Sequence, residues 1–125
     1  MIDPMRVTMT LLITPLLLAA AHADGDPARG EARFQECAAC HKLEVGANEV
    51  GPSLQGIFMR KAGQLADFRY SPAMKRSGVT WTPETLEKYI ADPQAMIPAN
   101  RMPYAGMASA SDRADLIAYL LKATK

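Results

Sequence analysis

Near the end of the chain Leu116, Tyr119, Leu120 and Ala123 recur at intervals of three and four residues, the spacing that lines up one face of an α-helix. Ser109 to Asp112, just ahead of them, resembles a capping box and marks where that helix starts. The same periodicity appears in Leu86, Tyr89 and Ile90, between Thr82-Pro83, which reads as a start, and Asp92-Pro93, which reads as a stop. Ser71-Pro72 and Gly78 bound a shorter helix of barely two turns. A first helix opens with Asp26 as N-cap and Pro27 at the first helical position, where the missing proline N–H costs no hydrogen bond. Gly30 inside it costs about 1 kcal/mol relative to alanine, which predicts close approach by another helix. The last helix is the expected partner, with Phe34 and Tyr119 in contact.

Elsewhere the pattern breaks down. Residues 42–56 contain Gly46, Gly51, Pro52 and Gly56 without sustained periodicity and should run irregularly. Pro98 and Pro103 bracket Ala99-Asn100-Arg101-Met102 in what reads as an extended loop. The chain is therefore all-α, without an internal repeat or a glycine-rich phosphate loop.

The N-terminal apolar run is of another kind. Arg6 precedes Leu11-Leu12-Ile13-Thr14-Pro15-Leu16-Leu17-Leu18, and Ala21-His22-Ala23 follows. A positive start, a short apolar stretch and a small-x-small site describe a cleavable secretory signal over residues 1–23, with cleavage before Asp24. The run is interrupted by Pro15 and falls short of the roughly 20 apolar residues a membrane span needs. Residues 24–125 then form one domain of about 100 residues, soluble and, in a bacterium, periplasmic.

Composition limits what that domain can do. Three phenylalanines, four tyrosines and one tryptophan are few for a core, so a buried cofactor would supply part of it. A formal net charge of +1 is too small to point to nucleic acid or an anionic membrane.

The chemistry lies in Cys37-Ala38-Ala39-Cys40-His41. Two thiols three positions apart, followed at once by a histidine, form the attachment pattern of haem c, in which thioether bonds to both vinyl groups place the imidazole on the iron. Structural zinc needs four ligands, and of the two cysteines and two histidines His22 is lost with the signal. A thioredoxin-like pair would follow a strand rich in β-branched residues, and none precedes Cys37. A plain disulfide leaves the histidine unexplained.

His41 is the single histidine after residue 23, so the sixth iron position is open, water-bound, or held by methionine or lysine. Met102 is the best placed, because Pro98 and Pro103 stiffen its loop. Met96 is a competitor, while Met59, Met74 and Met107 read as core filler.

From Gly25 to Lys125 the sequence resembles the class I cytochromes c, specifically the mitochondrial cytochrome c and bacterial cytochrome c2 group. The resemblance rests on Gly30 and Phe34 before the haem motif, on Val50-Gly51-Pro52-Ser53-Leu54-Gln55-Gly56, on Arg60-Lys61 with Gly63, and on Trp81. It continues through Glu84-Thr85-Leu86 with Tyr89, Ile97-Pro98, Met102-Pro103-Tyr104-Ala105-Gly106 and Asp115-Leu116-Ile117-Ala118-Tyr119-Leu120. It implies a small cytochrome c fold in which the first and last helices cross beside one haem c, covalently held through Cys37 and Cys40. It also implies that His41 and Met102 are the axial ligands and that the Pro52 carbonyl accepts a hydrogen bond from His41. By the same resemblance Arg60, Tyr70 and Trp81 surround the haem propionates, and Tyr89 lies beside the methionine sulfur. Met59, Met74 and Ala99-Asn100 depart from the family pattern, which often has glycine, asparagine and Gly-Thr at these places.

The implied function is one-electron transfer between a quinol-oxidising complex and an oxidase, reductase or photosynthetic centre, by a monomer that is not an enzyme. Two alternatives are a haem subunit bound to a periplasmic dehydrogenase and a peroxidase-like haem enzyme, the second of which requires an open iron site. Redox proteins would dock at the haem edge, where Lys42, Lys61, Lys75, Arg76 and Arg101 are the expected basic residues, with Arg101 and Lys42 foremost.

Overall fold

The computed structural model describes residues 25–125; the expected signal over residues 1–23 and its cleavage point before Asp24 lie outside them. The described chain forms α1 (Pro27–Ala38), α2 (Pro72–Arg76), α3 (Pro83–Ala91), α4 (Pro93–Met96) and α5 (Ala110–Ala123). Among the described residues there is no strand, and the extended contact is a single bridge between Lys61 and Thr80.

Helices α1 to α4 all start on a capping oxygen followed by proline: Asp26-Pro27, Ser71-Pro72, Thr82-Pro83 and Asp92-Pro93. The cap oxygen accepts an otherwise orphaned N–H while proline has none to satisfy, so these dipeptides fix where each helix begins. Asp92-Pro93 does more than end α3. The Asp92 carboxylate also accepts the Ala95 N–H at 3.1 Å and opens α4, which the sequence pattern did not reveal. At the start of α5 the Ser109 hydroxyl accepts the Asp112 N–H at 3.3 Å. The Asp112 carboxylate, however, faces Arg33 on α1 at 3.5 Å, so it pairs between helices.

α1 and α5 pack where Gly30 removes a side chain: a Cβ there would overlap the Asp115 carbonyl and come within 2.8 Å of the Tyr119 Cβ. Beside this crossing the Phe34 and Tyr119 rings lie 5.5 Å apart, and Leu116, only 1% exposed, fills the centre. The buried face of α5 is Asp115, Leu116, Ile117 and Leu120, displaced from the expected stripe, since Tyr119 and Ala123 are half-buried.

Asp115 is the one acidic residue in that face. Its carboxylate accepts the Asp26 N–H at 2.7 Å and the Arg29 Nε–H at 3.0 Å, tying α5 to the cap and first turn of α1. The Arg29 hydrogen bond first, and then the Asp26 N–H, hold the carboxyl below its ordinary value. A depressed carboxyl contributes stability that is present above its unfolded pKa, near 4, and is lost as pH falls through the folded value. Asp115→Asn should therefore unfold at a lower denaturant concentration than the parent at pH 7. The gap should narrow below pH 4, and one constant with pH would assign Asp115 a packing role alone.

Candidate functional site

The interior does not close. A cavity penetrates it, lined by Cys37, Cys40 and His41 at the end of α1, by Tyr89 on α3, and by Met102 on the loop between α4 and α5. Its remaining walls are mostly apolar, with Leu54, Ile57, Trp81, Leu86, Leu116 and Leu120 among them.

The turn leaving α1 gathers the haem motif. Cys40 and His41 both donate their N–H to the Cys37 carbonyl, at 3.1 and 2.9 Å, which brings the two sulfurs and the imidazole to one wall. Both cysteines are free thiols. Burial, and secondarily the Glu36 carboxylate, push the Cys37 thiol up to about 11, whereas redox-active or nucleophilic cysteines have depressed values. Among the described residues no cluster of three or more His, Cys, Asp or Glu could hold a metal ion.

The His41 Nδ1 lies 2.8 Å from the Pro52 carbonyl, and a carbonyl can only accept, so Nδ1 carries the proton and Nε2 keeps a free lone pair. Burial also lowers the His41 pKa, against the Pro52 hydrogen bond that raises it, and favours the neutral, ligating form. The ring lies against Gly51, where a Cβ would come within 2.6 Å of Nδ1; any side chain there would displace the imidazole.

Met102 is half-buried, and the Tyr89 hydroxyl donates to its sulfur at 3.8 Å. Burial pushes the Tyr89 phenol up to about 12, so it stays a donor throughout the physiological range. What holds the Met102 backbone is Asn100, which is 7% exposed. Its Oδ1 accepts the Met102 N–H at 2.9 Å, and its Nδ2 donates to the Pro93 and Ile97 carbonyls, each at 2.9 Å. Pro98 and Pro103, expected to stiffen this loop, are both exposed. The segment is not simply extended either, since Ala99 takes a left-handed φ of 66° and the Asn100 N–H returns to the Ile97 carbonyl at 3.2 Å. An asparagine bonding the backbone two residues ahead is a known turn device, and that was the available signal.

The other methionines divide. Met107 is core and Met96 packs against the core, but Met96 does not line the cavity. Met74 does line it. Met59, expected as filler, is instead 73% exposed, at a left-handed φ of 70° and bonded through its N–H to the Trp81 carbonyl at 2.6 Å.

Arg60, Tyr70 and Trp81 all line the same cavity. Arg60 donates to the Gln55 and Ser53 carbonyls at 3.0 and 3.1 Å, and burial lowers its pKa. Burial likewise raises that of Tyr70. Of the expected basic residues, Arg101 lines the cavity while Lys42, Lys61, Lys75 and Arg76 do not; Arg69, which the sequence did not single out, does. Another contact beyond the sequence pattern joins the Tyr104 hydroxyl to the Glu36 carboxylate at 2.8 Å. It links the Met102 loop to the residue before Cys37.

Two unpaired thiols, an imidazole with a free nitrogen and a thioether around one apolar cavity are a donor set that fits haem c. A sequence model of the cytochrome c family matches residues 27–124. The chain is 50% identical over 98 residues to cytochrome c2 iso-2 of Magnetospirillum fulvum, covering 78% of this chain and 97% of that protein. It is 48% identical over 97 residues to cytochrome c2 of Rhodoblastus acidophilus, covering 77% and 91% respectively. In structure it matches cytochrome cH from Methylobacterium extorquens with a TM-score of 0.74 and 41% identity, over 78% of this chain and 99% of that one. Cys37 and Cys40 are thus the attachment points of one covalent haem c, and the chain belongs to the cytochrome c family.

Proposed function

We propose that this protein is an exported one-electron carrier of the bacterial periplasm in which His41 and Met102 hold the haem iron. The observation that carries the reading is that a single cavity is lined by an imidazole whose Nε2 is left free by the Pro52 contact and by a thioether on a pinned loop. When bound, the haem supplies the Fe(III)/Fe(II) couple. His41 offers Nε2, oriented from behind by Pro52. Met102 offers a weak sulfur donor, and thioether ligation raises the potential of a c-type haem. The apolar walls act in the same direction by disfavouring the extra charge of the ferric state. Tyr89 steadies the sulfur, and Asn100 keeps its backbone from swinging away. Such a site is built to keep both ligands while the charge changes, which suits a carrier rather than a peroxidase, whose reaction needs an open position. Among the described residues no helix is long and apolar enough to cross a membrane. The carrier would move between a quinol-oxidising complex and an oxidase, reductase or photosynthetic centre.

The test combines spectrum and kinetics. The ferric protein is expected to be low-spin, with the weak charge-transfer band of sulfur ligation, to cycle reversibly by one electron, and not to turn over peroxide. Its second-order rate with an acidic redox partner should fall as salt rises, because steering by charges is screened beyond about 8 Å at physiological ionic strength. Arg101→Glu should slow that reaction several-fold at low salt. A high-spin ferric spectrum with peroxide turnover would make the protein an enzyme, and a rate flat in salt would move docking to the apolar residues around the haem edge.

A further inference from the structure

The loop that carries Met102 is moored at both ends to α3 and α4. At its near end the Gln94 side-chain amide donates to the Asn100 carbonyl at 3.0 Å and accepts the Ala99 N–H at 3.2 Å, beside the Asn100 bonds to Pro93 and Ile97. At its far end the Met107 N–H donates to the Ile90 carbonyl at 2.7 Å. Gly106 there lies so close to α3 that a Cβ would overlap the Ala91 carbonyl. The stretch between these moorings has one tie to the haem motif, the hydrogen bond at 2.8 Å from the Tyr104 hydroxyl to the Glu36 carboxylate. Among the described residues no other hydrogen bond joins residues 97–106 to residues 36–41. Glu36 immediately precedes Cys37, and Glu36 and Tyr104 both line the cavity. The bond therefore runs across the cavity from the side that fixes the haem to the side that offers the sulfur.

Its strength can be bounded. A hydrogen bond to a carboxylate is roughly twice as strong as a neutral one, but Glu36 is exposed and Tyr104 only half-buried, so water competes for both partners and the net contribution is that of one ordinary hydrogen bond. Such a term is small beside the stability of a whole fold. It is not small beside a weak thioether ligand that is displaced part of the time. Moving Met102 away from His41 carries Tyr104 away from Glu36, while the moorings on α3 and α4 can stay made. The bond is therefore spent on ligand exchange before it is spent on unfolding.

We propose that Tyr104 and Glu36 are positioning residues for the sixth iron ligand, their hydrogen bond latching the Met102 loop to the haem-attachment turn and limiting replacement of the sulfur by outside ligands. This rests on the Met102 ligation read above.

The experiment uses the full haem-loaded ferric protein, titrated with imidazole and followed by loss of the charge-transfer band of sulfur ligation, with denaturant midpoints measured in parallel. Tyr104→Phe keeps the ring that packs against the core and removes only the hydroxyl. It should retain the band without imidazole yet bind imidazole about fivefold tighter, the factor that one net hydrogen bond adds to the displaced population. Glu36→Ala should do the same, and the double variant should bind no more tightly than either single one, because both substitutions remove one shared contact. Glu36→Gln keeps an acceptor oxygen and should stay closer to the parent. Parental imidazole affinity in Tyr104→Phe would overturn the latch, even with a lowered denaturant midpoint, since the contact would then serve global stability alone. Effects of the two substitutions that multiply in the double variant would overturn it as well. Absence of the sulfur band from the parent's own ferric spectrum would overturn the Met102 assignment and the latch with it, whereas a parental band with unchanged affinity in Tyr104→Phe overturns the latch alone.

Discussion

Met102→Ala is expected to lose the ferric charge-transfer band of sulfur ligation and to bind cyanide or imidazole far more tightly than the parent. If the parent populates a form with the sulfur displaced at about 1%, its apparent affinity for such ligands is reduced about 100-fold, and the variant recovers that factor. The fold should survive, because Met102 is only half-buried and the core around it is built from Trp81, Leu86, Tyr89 and Ile90. Asn100→Ala should travel part of the way to the same state. It keeps the sulfur but leaves the Met102 N–H and the Pro93 and Ile97 carbonyls without their side-chain partner, at a cost of about 2 kcal/mol. Its charge-transfer band should persist at low temperature and vanish on warming well before global unfolding. Met96→Ala is the comparison: Met96 does not line the cavity, so it should keep both band and ligand exclusion. The reverse result, with the band lost at Met96 and kept at Met102, would move the axial ligand.

Gly30→Ala should strongly destabilise the protein. On helix propensity alone alanine would stabilise α1 by about 1 kcal/mol, so the two accounts differ in sign. The packing account predicts a loss of about 3 kcal/mol, at the upper end for an overpacked site, because the added Cβ would meet the Asp115 carbonyl, which is backbone, rather than a side chain that can turn away. Relief would require α1 and α5 to separate, which would also strain the Phe34–Tyr119 contact and the Asp115 bonds to Asp26 and Arg29. Denaturant midpoints decide the matter, and a midpoint equal to or above the parent's would refute tight packing at Gly30.

What the sequence displayed and what it concealed divide by range. The starts of α1, α2 and α3 were legible because a capping oxygen followed by proline is a local signal that tertiary structure has no reason to override. The haem motif was legible because its chemistry needs adjacent residues. Asp92-Pro93 carries two signals at once: the same two residues stop α3 and start α4, and a turn as short as Pro93–Met96 has no periodicity of its own to announce it. Asn100 is less conspicuous in the sequence than the prolines around it, although prolines restrict only their own neighbourhood and the asparagine makes the longer connections. Met59 reads as filler because hydrophobic residues are usually inside, but its left-handed backbone and exposed position go with the turn that hands its N–H to Trp81. The Glu36–Tyr104 bond spans 68 residues, and the meeting of Arg69 and Arg101 at the haem cavity depends on how separate segments come together. Neither leaves a trace in local pattern.

The burial of Cys37 also bears on the order of assembly. In the closed fold burial pushes its thiol up to about 11, so a far smaller fraction carries the thiolate at pH 7 than in an ordinary exposed cysteine. Bonding to a vinyl group requires a reactive sulfur, and burial holds this one in its protonated form. The open chain is therefore the form suited to attachment, with the helices closing around the macrocycle afterwards. Maturation then becomes a race between capture of the cofactor and collapse of the polypeptide, and a chain that collapsed first would hold its attachment point in the less reactive form.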